Sequence, residues 1–494
     1  MQLIVPTRDP DYELPMQFRK DGRNITEVPC KVWLPQSPVE RGILQFFSRD
    51  EGHSALFHSP YDLAGSILGF DKKPQVSIKA EEFYVNGPTT TYKSGDEPPH
   101  VSGFGYAEKL IVTRPLYSRD SDRAGRTHLR FDLTPNRLLN PFQSVISSYT
   151  GNHKVQTHRK ISLRVPSLGQ VRFTKYYRID TKVVPRATTL IPNLTAELQL
   201  ERPAQDLIAL DSEIRDALGV ALLLASFAAR QRTVAPAWHA VDGTHIVDCF
   251  AGNLAIPKID ERAGVYDALI DPRNFPNFLR VSVRRFTKLE KYAQTLLREA
   301  LYKALPMSDE TTESRFLSMF SALESLVLWF RKRNNYEYTI PSDANWRRFR
   351  SDIAALVTKH ESLHLGARKE MVLEMVGALR RVPLKRAFQA FCEKFKLETS
   401  DLWPAFDSNG SLNAIRNRLS HGDSFRRSSF GALVWANANL EIIVERMILA
   451  ALGWPAKRSH ASPQVLKQMG WKPGMDLEKN MEILARDLRT SADQ

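Results

Sequence analysis

The feature that most constrains the fold is a change of hydrophobic rhythm along the chain. Before about residue 205, apolar and polar residues alternate, as in Ile161-Ser162-Leu163-Arg164-Val165 and Val171-Arg172-Phe173. A period of two is what a half-buried strand requires, because successive side chains leave opposite faces. Val32-Trp33-Leu34, Ile43-Leu44-Gln45-Phe46-Phe47, Phe83-Tyr84-Val85 and Leu110-Ile111-Val112 are further short apolar runs, punctuated by Pro, Gly and Asp. From about residue 284 the rhythm becomes three-four. It places Phe316, Phe320, Leu323, Val327 and Phe330 on one helix face. Leu384, Phe388, Phe391 and Phe395 repeat it, as do Leu433, Leu440, Val444 and Met447. Such stripes define amphipathic helices.

These rhythms predict an α+β chain. Residues 1–205 form a β-rich domain of sandwich or barrel type. Residues 206–283 hold a long helix, to residue 233, and then an irregular connecting region rich in proline. Residues 284–455 form an all-α helical domain, and 456–494 a polar tail with room for a short helix. With 494 residues the chain exceeds one ordinary core, which fits this division.

Hydrophobic residues make up 43% and charged residues 25%, a globular balance that excludes a largely disordered chain. The net charge of +14 favours an anionic partner, nucleic acid or a membrane surface. The opening Met-Gln-Leu-Ile-Val-Pro-Thr-Arg-Asp-Pro lacks the charged lead and long apolar core of a signal peptide. The most apolar stretch, Ala217 to Ala229, is too short to span a bilayer and reads as a buried helix. Cys30, Cys249 and Cys392 are too sparse for a disulfide framework or a cysteine zinc site. A cytoplasmic protein without membrane attachment is expected.

The segment Ser411 to His421 carries the chemistry. Asn409-Gly410-Ser411 supplies a start with a capping serine, and Gly422 a stop in the position of a left-handed cap. Leu412, Ile415 and Leu419 mark the apolar face. Arg416, four after Leu412 and three before Leu419, shares that face and needs an anionic or carbonyl partner. Glu324, four after Phe320 and three before Val327, has the matching phase on an upstream helix. The two are expected to pair, either as a purely structural ion pair or to orient Arg416 for substrate. His421 lies at the helix C-terminus, where the dipole favours the imidazolium. It is five residues from Arg416, about 140° around an ideal helix. The two cannot converge unless the last turn distorts or a second copy contributes. An Arg and a His five apart should occur roughly once by chance in a chain of this composition; adding Asn417, Gly422 and a helical frame makes chance well below roughly 0.01. Arg232 and His239 form a looser pair, broken by Pro236.

Arg416-Asn417-x-x-x-His421 resembles the Arg-polar-x-x-x-His signature of HEPN domains. The frame of Phe320-Ser321-Ala322-Leu323-Glu324-Ser325-Leu326, motif and long closing helix is most similar to the ApeA-like HEPN group, tied to bacterial antiphage defence. The resemblance covers about residues 284–454. It implies a HEPN helical bundle acting as a metal-independent endoribonuclease, without cofactor, as a homodimer or higher homo-oligomer. Arg416 would bind phosphate, His421 act as acid or base, and Asn417 orient either. Some HEPN domains are inactive scaffolds that bind RNA, nucleotide or a partner. The β-rich domain would then be the sensor, open to a phage-derived trigger.

Basic clusters with interleaved aromatics suit a single-stranded RNA path or, more blandly, solvated helix faces. Arg347, Arg348 and Arg350 lie in one, and Arg426 and Arg427 in another. A rival motif is His360-Glu361-Ser362-Leu363-His364. On a helix it would set two histidines on one face for zinc, with Glu361 as base of a metalloprotease. Glu374 and Glu393 are candidate third ligands.

Overall fold

Alternation does build strands in the first part of the chain, and the proline-rich region beyond it joins them. The structure, a computed structural model, describes residues 8–20, 23–35, 40–48, 60–69, 74–86, 89–91, 100–116, 126–140, 143–147, 153–157, 161–166, 168–184, 187–251, 267–306, 310–360, 369–468 and 473–490. The chain divides into two compact units, Met1–Val265 and Tyr266–Gln494. It is α+β: a β-rich N-terminal part followed by a helical C-terminal part.

In the first unit, β1 (Tyr12–Lys20), β2 (Arg23–Trp33), β3 (Ile43–Ser48), β4 (Tyr61–Leu68), β5 (Pro74–Val85), β6 (Thr89–Thr91) and β7 (His100–Pro115) come first. The order β7-β3-β2-β1-β4-β5 returns to β7, closing an antiparallel ring. Its interior is packed by Met16, Phe18, Val28, Phe46, Leu63, Ile78 and Phe83, residues that alternate with exposed neighbours. Closure removes the free edges that a sheet would otherwise present to other chains. In the 16-residue β7 the first half pairs with β3, and the second half pairs with β5 on one edge and with His245–Ala251 of a flanking sheet on the other.

That sheet contains β8 (Thr127–Leu133), β11 (Ile161–Val165), β12 (Gly169–Val184) and β13 (Ala187–Leu200); β9 (Gln143–Ser147) and β10 (His153–Thr157) form a separate hairpin. After α1 (Asp206–Ala209) and α2 (Asp211–Ala229), two more strands enter between β8 and β7. These are β14 (Ala237–Val241) and β15 (His245–Ala251). They correct the expectation that residues 234–283 are irregular. Pro236 lies just outside β14, where its missing N–H costs no ladder bond. Polar His239 and Asp248, facing each other across the pair, interrupt the apolar alternation that would have marked both strands. The apolar stretch to Ala229 is the C-terminal part of α2, and Leu218, Leu224, Phe227 and Ala228 are buried as expected.

The second unit contains α3 (Phe275–Thr287), α4 (Lys291–Ala304), α5 (Thr312–Arg333), α6 (Asp343–Lys359), α7 (Lys369–Val376), α8 (Leu384–Phe395), α9 (Leu412–Ser420), α10 (Phe430–Ala451), α11 (Pro463–Gln468) and α12 (Pro473–Thr490). α5 is its axis: α4, α8, α9 and α10 all pack on it. Every residue of its expected stripe is buried. Trp329 and Phe330 meet Phe391 and Phe395 of α8 in an aromatic cluster with centroids 4.7–6.4 Å apart. Arg315 ties three helices together, donating to Glu441 on α10 (2.6 and 2.8 Å) and to the carbonyls of Lys303, Ala304 and Leu305.

The polar tail is more structured than its composition suggested. α12 is 18 residues long, packs on α9 and α10, and buries Leu484 and Asp487. Gly410 permits this. A Cβ there would lie 2.8 Å from the Met481 carbonyl oxygen, so only glycine allows α12 so close. Among the described residues, no helix is long and apolar enough to cross a membrane.

Candidate functional site

α9 is short, so its boundaries must be set by caps rather than by length. Ser411 is the N-cap, its side chain accepting from the Ala414 N–H at 3.4 Å. Gly422 follows the helix with φ +86°, a left-handed conformation that costs glycine little. Its N–H donates to the Leu419 carbonyl, and the Asp423 N–H to that of Arg418 (3.2 and 3.3 Å). This double closure ends the helix beside His421. At its start, the Leu412 and Asn413 N–H groups donate to the carbonyls of Pro404 and Ala405.

The loop before α9 is itself held by a buried arginine that sequence reasoning missed. Arg446 of α10 makes a two-pronged pair with Asp401 (2.6 and 2.7 Å) and donates to the carbonyls of Glu398 and Ala461. Trp403 next to it is buried and donates to the Gly410 carbonyl (2.8 Å). Placing a guanidinium in the core is tolerable because its charge and donors are matched.

The expected pair between α9 and α5 is formed. Arg416 Nη2 donates to Glu324 Oε1 at 3.0 Å, while Nη1 donates to Asn417 Oδ1 at 3.2 Å. The guanidinium lies 5.8 Å from the ring centre of buried Phe320. One expectation needs correction: Arg416 does not face a closed core. Both partners of the pair are 36% exposed. On an ideal helical wheel Leu412, Leu419 and Ile415 share one narrow arc, and Arg416 lies just outside its edge. It marks the margin of the apolar face. Asn417 and His421 are exposed on the opposite side. His421 is the C-cap residue, and its ring has no hydrogen bond among the described residues. No hydrogen bond joins it to Arg416 among the described residues, and ideal helix phase sets the two about 140° apart.

The basic candidates divide. Arg347, Arg348 and Arg350 are exposed on α6. Arg427 is exposed just before α10, but Arg426 is engaged by buried Asp487 of α12, through its side chain at 3.2 Å and its N–H at 3.0 Å. Arg418 of α9 donates to the Asp487 carbonyl at 2.6 Å. Asp487 therefore anchors the loop that follows His421. The zinc candidates separate too. α6 ends at Lys359 with His360 as its exposed cap, so the helix expected to carry His360 does not include it. Glu361 and His364 lie outside the described residues. Among those described, no group of three His, Cys, Asp or Glu could hold a metal ion. Glu374 and Glu393 are exposed on separate helices.

A second polar cluster lies in the first unit. His239 bridges two carboxylates, Nδ1 to Asp248 Oδ1 (2.7 Å) and Nε2 to Asp132 Oδ2 (2.8 Å). Arg114 also binds Asp248, and Arg130 lies 3.6 Å from Asp132. Burial alone would favour neutral imidazole. The hydrogen bonds and charges of the two carboxylates outweigh it and raise His239 to about 9. Asp248 is lowered by the same contacts and by Arg114 against its own burial. With both ring nitrogens occupied, this histidine is held as a charged tie across β8, β14 and β15. The three cysteines are free, and burial raises each thiol, Cys249 and Cys392 to about 12.

No protein-family model matches the chain, and no curated protein does. The solved structure of Hcp1 from Flavobacterium johnsoniae is similar over 20% of this chain and 94% of its own, with 12% identity and a TM-score of 0.15. That likeness is too slight to bear on either unit.

Proposed function

We propose that the helical unit is a HEPN-type, metal-independent endoribonuclease, and that the protein serves in antiphage defence. The observation that carries this reading is the Arg416–Glu324 pair at the margin of α9, with Asn417 bonded to the arginine and His421 exposed at the end of the same helix. Glu324 fixes the arginine from below without enclosing it, so the guanidinium can receive a phosphate and the charge that develops on it. His421 takes the proton of the RNA 2′-hydroxyl, O2′ bonds to phosphorus, and the bond from phosphorus to the 5′-oxygen breaks. The leaving 5′-oxygen takes a proton from solvent, giving a 5′-hydroxyl and a 2′,3′-cyclic phosphate.

The wide angle between Arg416 and His421 around α9 supports a homodimer, in which each site takes its arginine from one copy and its histidine from the other. Cleavage of RNA by the full chain, abolished in Arg416→Ala and in His421→Ala, tests the activity. Mixing the two dead variants tests the pairing. In a two-fold dimer each mixed pair keeps one intact site, so activity returns to about a quarter of wild type under random exchange. No recovery contradicts a shared site. A second reading, a non-catalytic module that binds RNA, nucleotide or a partner, is favoured by the engagement of Arg416 with both Glu324 and Asn417. RNA binding without cleavage under any condition would establish it. The β-rich unit is read as the sensor of a phage-derived trigger in the cytoplasm; deleting the whole unit, residues 1–265, should change activity or its trigger.

A further inference from the structure

Around α6 a guanidinium and three aromatic rings lie in contact, two of the rings exposed. Arg380 places its guanidinium 4.3 Å from the ring centre of Tyr338 and 5.8 Å from that of Trp346. Trp346 in turn lies 5.9 Å from Phe349. Trp346 is buried, while the two ends, Tyr338 (41%) and Phe349 (39%), face solvent. The base is stiff. Arg380 is paired with Asp343, the Thr339 N–H donates to the Arg380 carbonyl (2.8 Å), and the Val382 N–H donates to that of Glu337 (3.0 Å). Tyr338 also bridges Arg381 in antiparallel fashion.

Helix phase then sorts the arginines. Phe349 and Arg350 follow Trp346 by three and four positions, so both share its face of α6. Arg347, the next residue after Trp346, stands to one side of that face, and Arg348 comes close to the opposite side. Arg350 therefore flanks the rings, Arg347 stands beside it, and Arg348 points away. Rigid exposed rings edged by cations match what a single strand offers, unstacked bases beside phosphates. A duplex hides those base faces, and an apolar protein partner would leave the arginines unmatched.

We infer that the cluster Tyr338–Arg380–Trp346–Phe349, edged by Arg350 and Arg347, is a handhold for single-stranded RNA. This deepens the ribonuclease reading by naming the form of its substrate. Along α5, Glu324 and Arg333 are nine residues, about 14 Å, apart, so the end of α5 that leads to Tyr338 lies a few nucleotides from Arg416.

The test uses the full chain carrying His421→Ala, to separate binding from cleavage, with a fluorescent 12-nucleotide single-stranded RNA and the matching duplex. The strand should bind more tightly than the duplex. Tyr338→Ala and Phe349→Ala should each weaken strand binding about tenfold, while Tyr338→Phe, which keeps the ring, restores it. Arg350→Ala should reduce the slope of log affinity against log salt by about 0.7, and Arg348→Ala should leave affinity within about twofold. The inference is overturned if the ring-deleting variants bind like their parent, if duplex binds as well as strand, or if Arg348→Ala matches Arg350→Ala. Cleavage by wild type with binding indifferent to Tyr338 and Phe349 sinks the handhold alone. Ring-dependent binding with no cleavage by wild type sinks the ribonuclease reading alone.

Discussion

Arg416→Ala separates a functional role from a structural one, because the geometry sets a low ceiling on its cost to stability. The pair with Glu324 is 36% exposed on both sides, so water and salt screen it. Such pairs contribute about 0.2–1 kcal/mol. The contact with Phe320 at 5.8 Å is near the limit of range and adds about 0.5 kcal/mol. Truncation leaves Glu324 hydrated rather than stranded, so no buried charge adds to the loss. The total is about 1 kcal/mol, or roughly 2–4 °C in melting temperature for a unit of this size. Loss of a group that stabilises transition-state charge costs far more, about 100- to 1000-fold in rate. Thermal unfolding followed by circular dichroism, beside cleavage of a fluorogenic RNA, reads both quantities. A collapse of the fold, or cleavage within a few-fold of wild type, would rule out a catalytic Arg416 held by a weak surface pair.

Asp401→Ala should destabilise the helical unit by roughly 3–5 kcal/mol, read by urea titration, because it leaves the buried Arg446 charge without its partner. His239 is raised from 6.5 to about 9, so its contribution to the β-rich unit is complete below about pH 6.5 and fades as pH rises through about 9. That shift corresponds to about 3 kcal/mol, and His239→Gln should flatten this part of the pH–stability profile. Gly410→Ala drives a methyl group against the Met481 carbonyl and should cost about 1–3 kcal/mol, with faster amide exchange across residues 473–490.

Which parts of this molecule could be read from its sequence follows from how far apart the interacting residues are. The partnership of Glu324 with Arg416 was legible although they lie 92 residues apart, because each has a helical phase that puts it on the margin of an apolar face. A wheel gives direction but not depth, which is why the pair proved half-exposed rather than enclosed. The ends of α9 were legible because Ser411 and Gly422 act locally. β14 and β15 were hidden by Pro236 and by the facing His239 and Asp248. The tie between His239 and Asp132 spans 107 residues of chain, with no periodicity to announce it. The docking of α12 depends on a missing Cβ at Gly410, which in sequence reads only as a turn. The arginines of α6 formed one cluster in sequence, and only the exposed rings of Tyr338 and Phe349 give that cluster a direction.

The most direct test of the central claim is to incubate a defined RNA with the full chain and with His421→Ala, and to map the ends of every product. Fragments ending in 2′,3′-cyclic phosphate and beginning with 5′-hydroxyl are expected, formed without added metal and absent with His421→Ala. Cleavage that persists in that variant, or products carrying 5′-phosphate and 3′-hydroxyl ends, would contradict it.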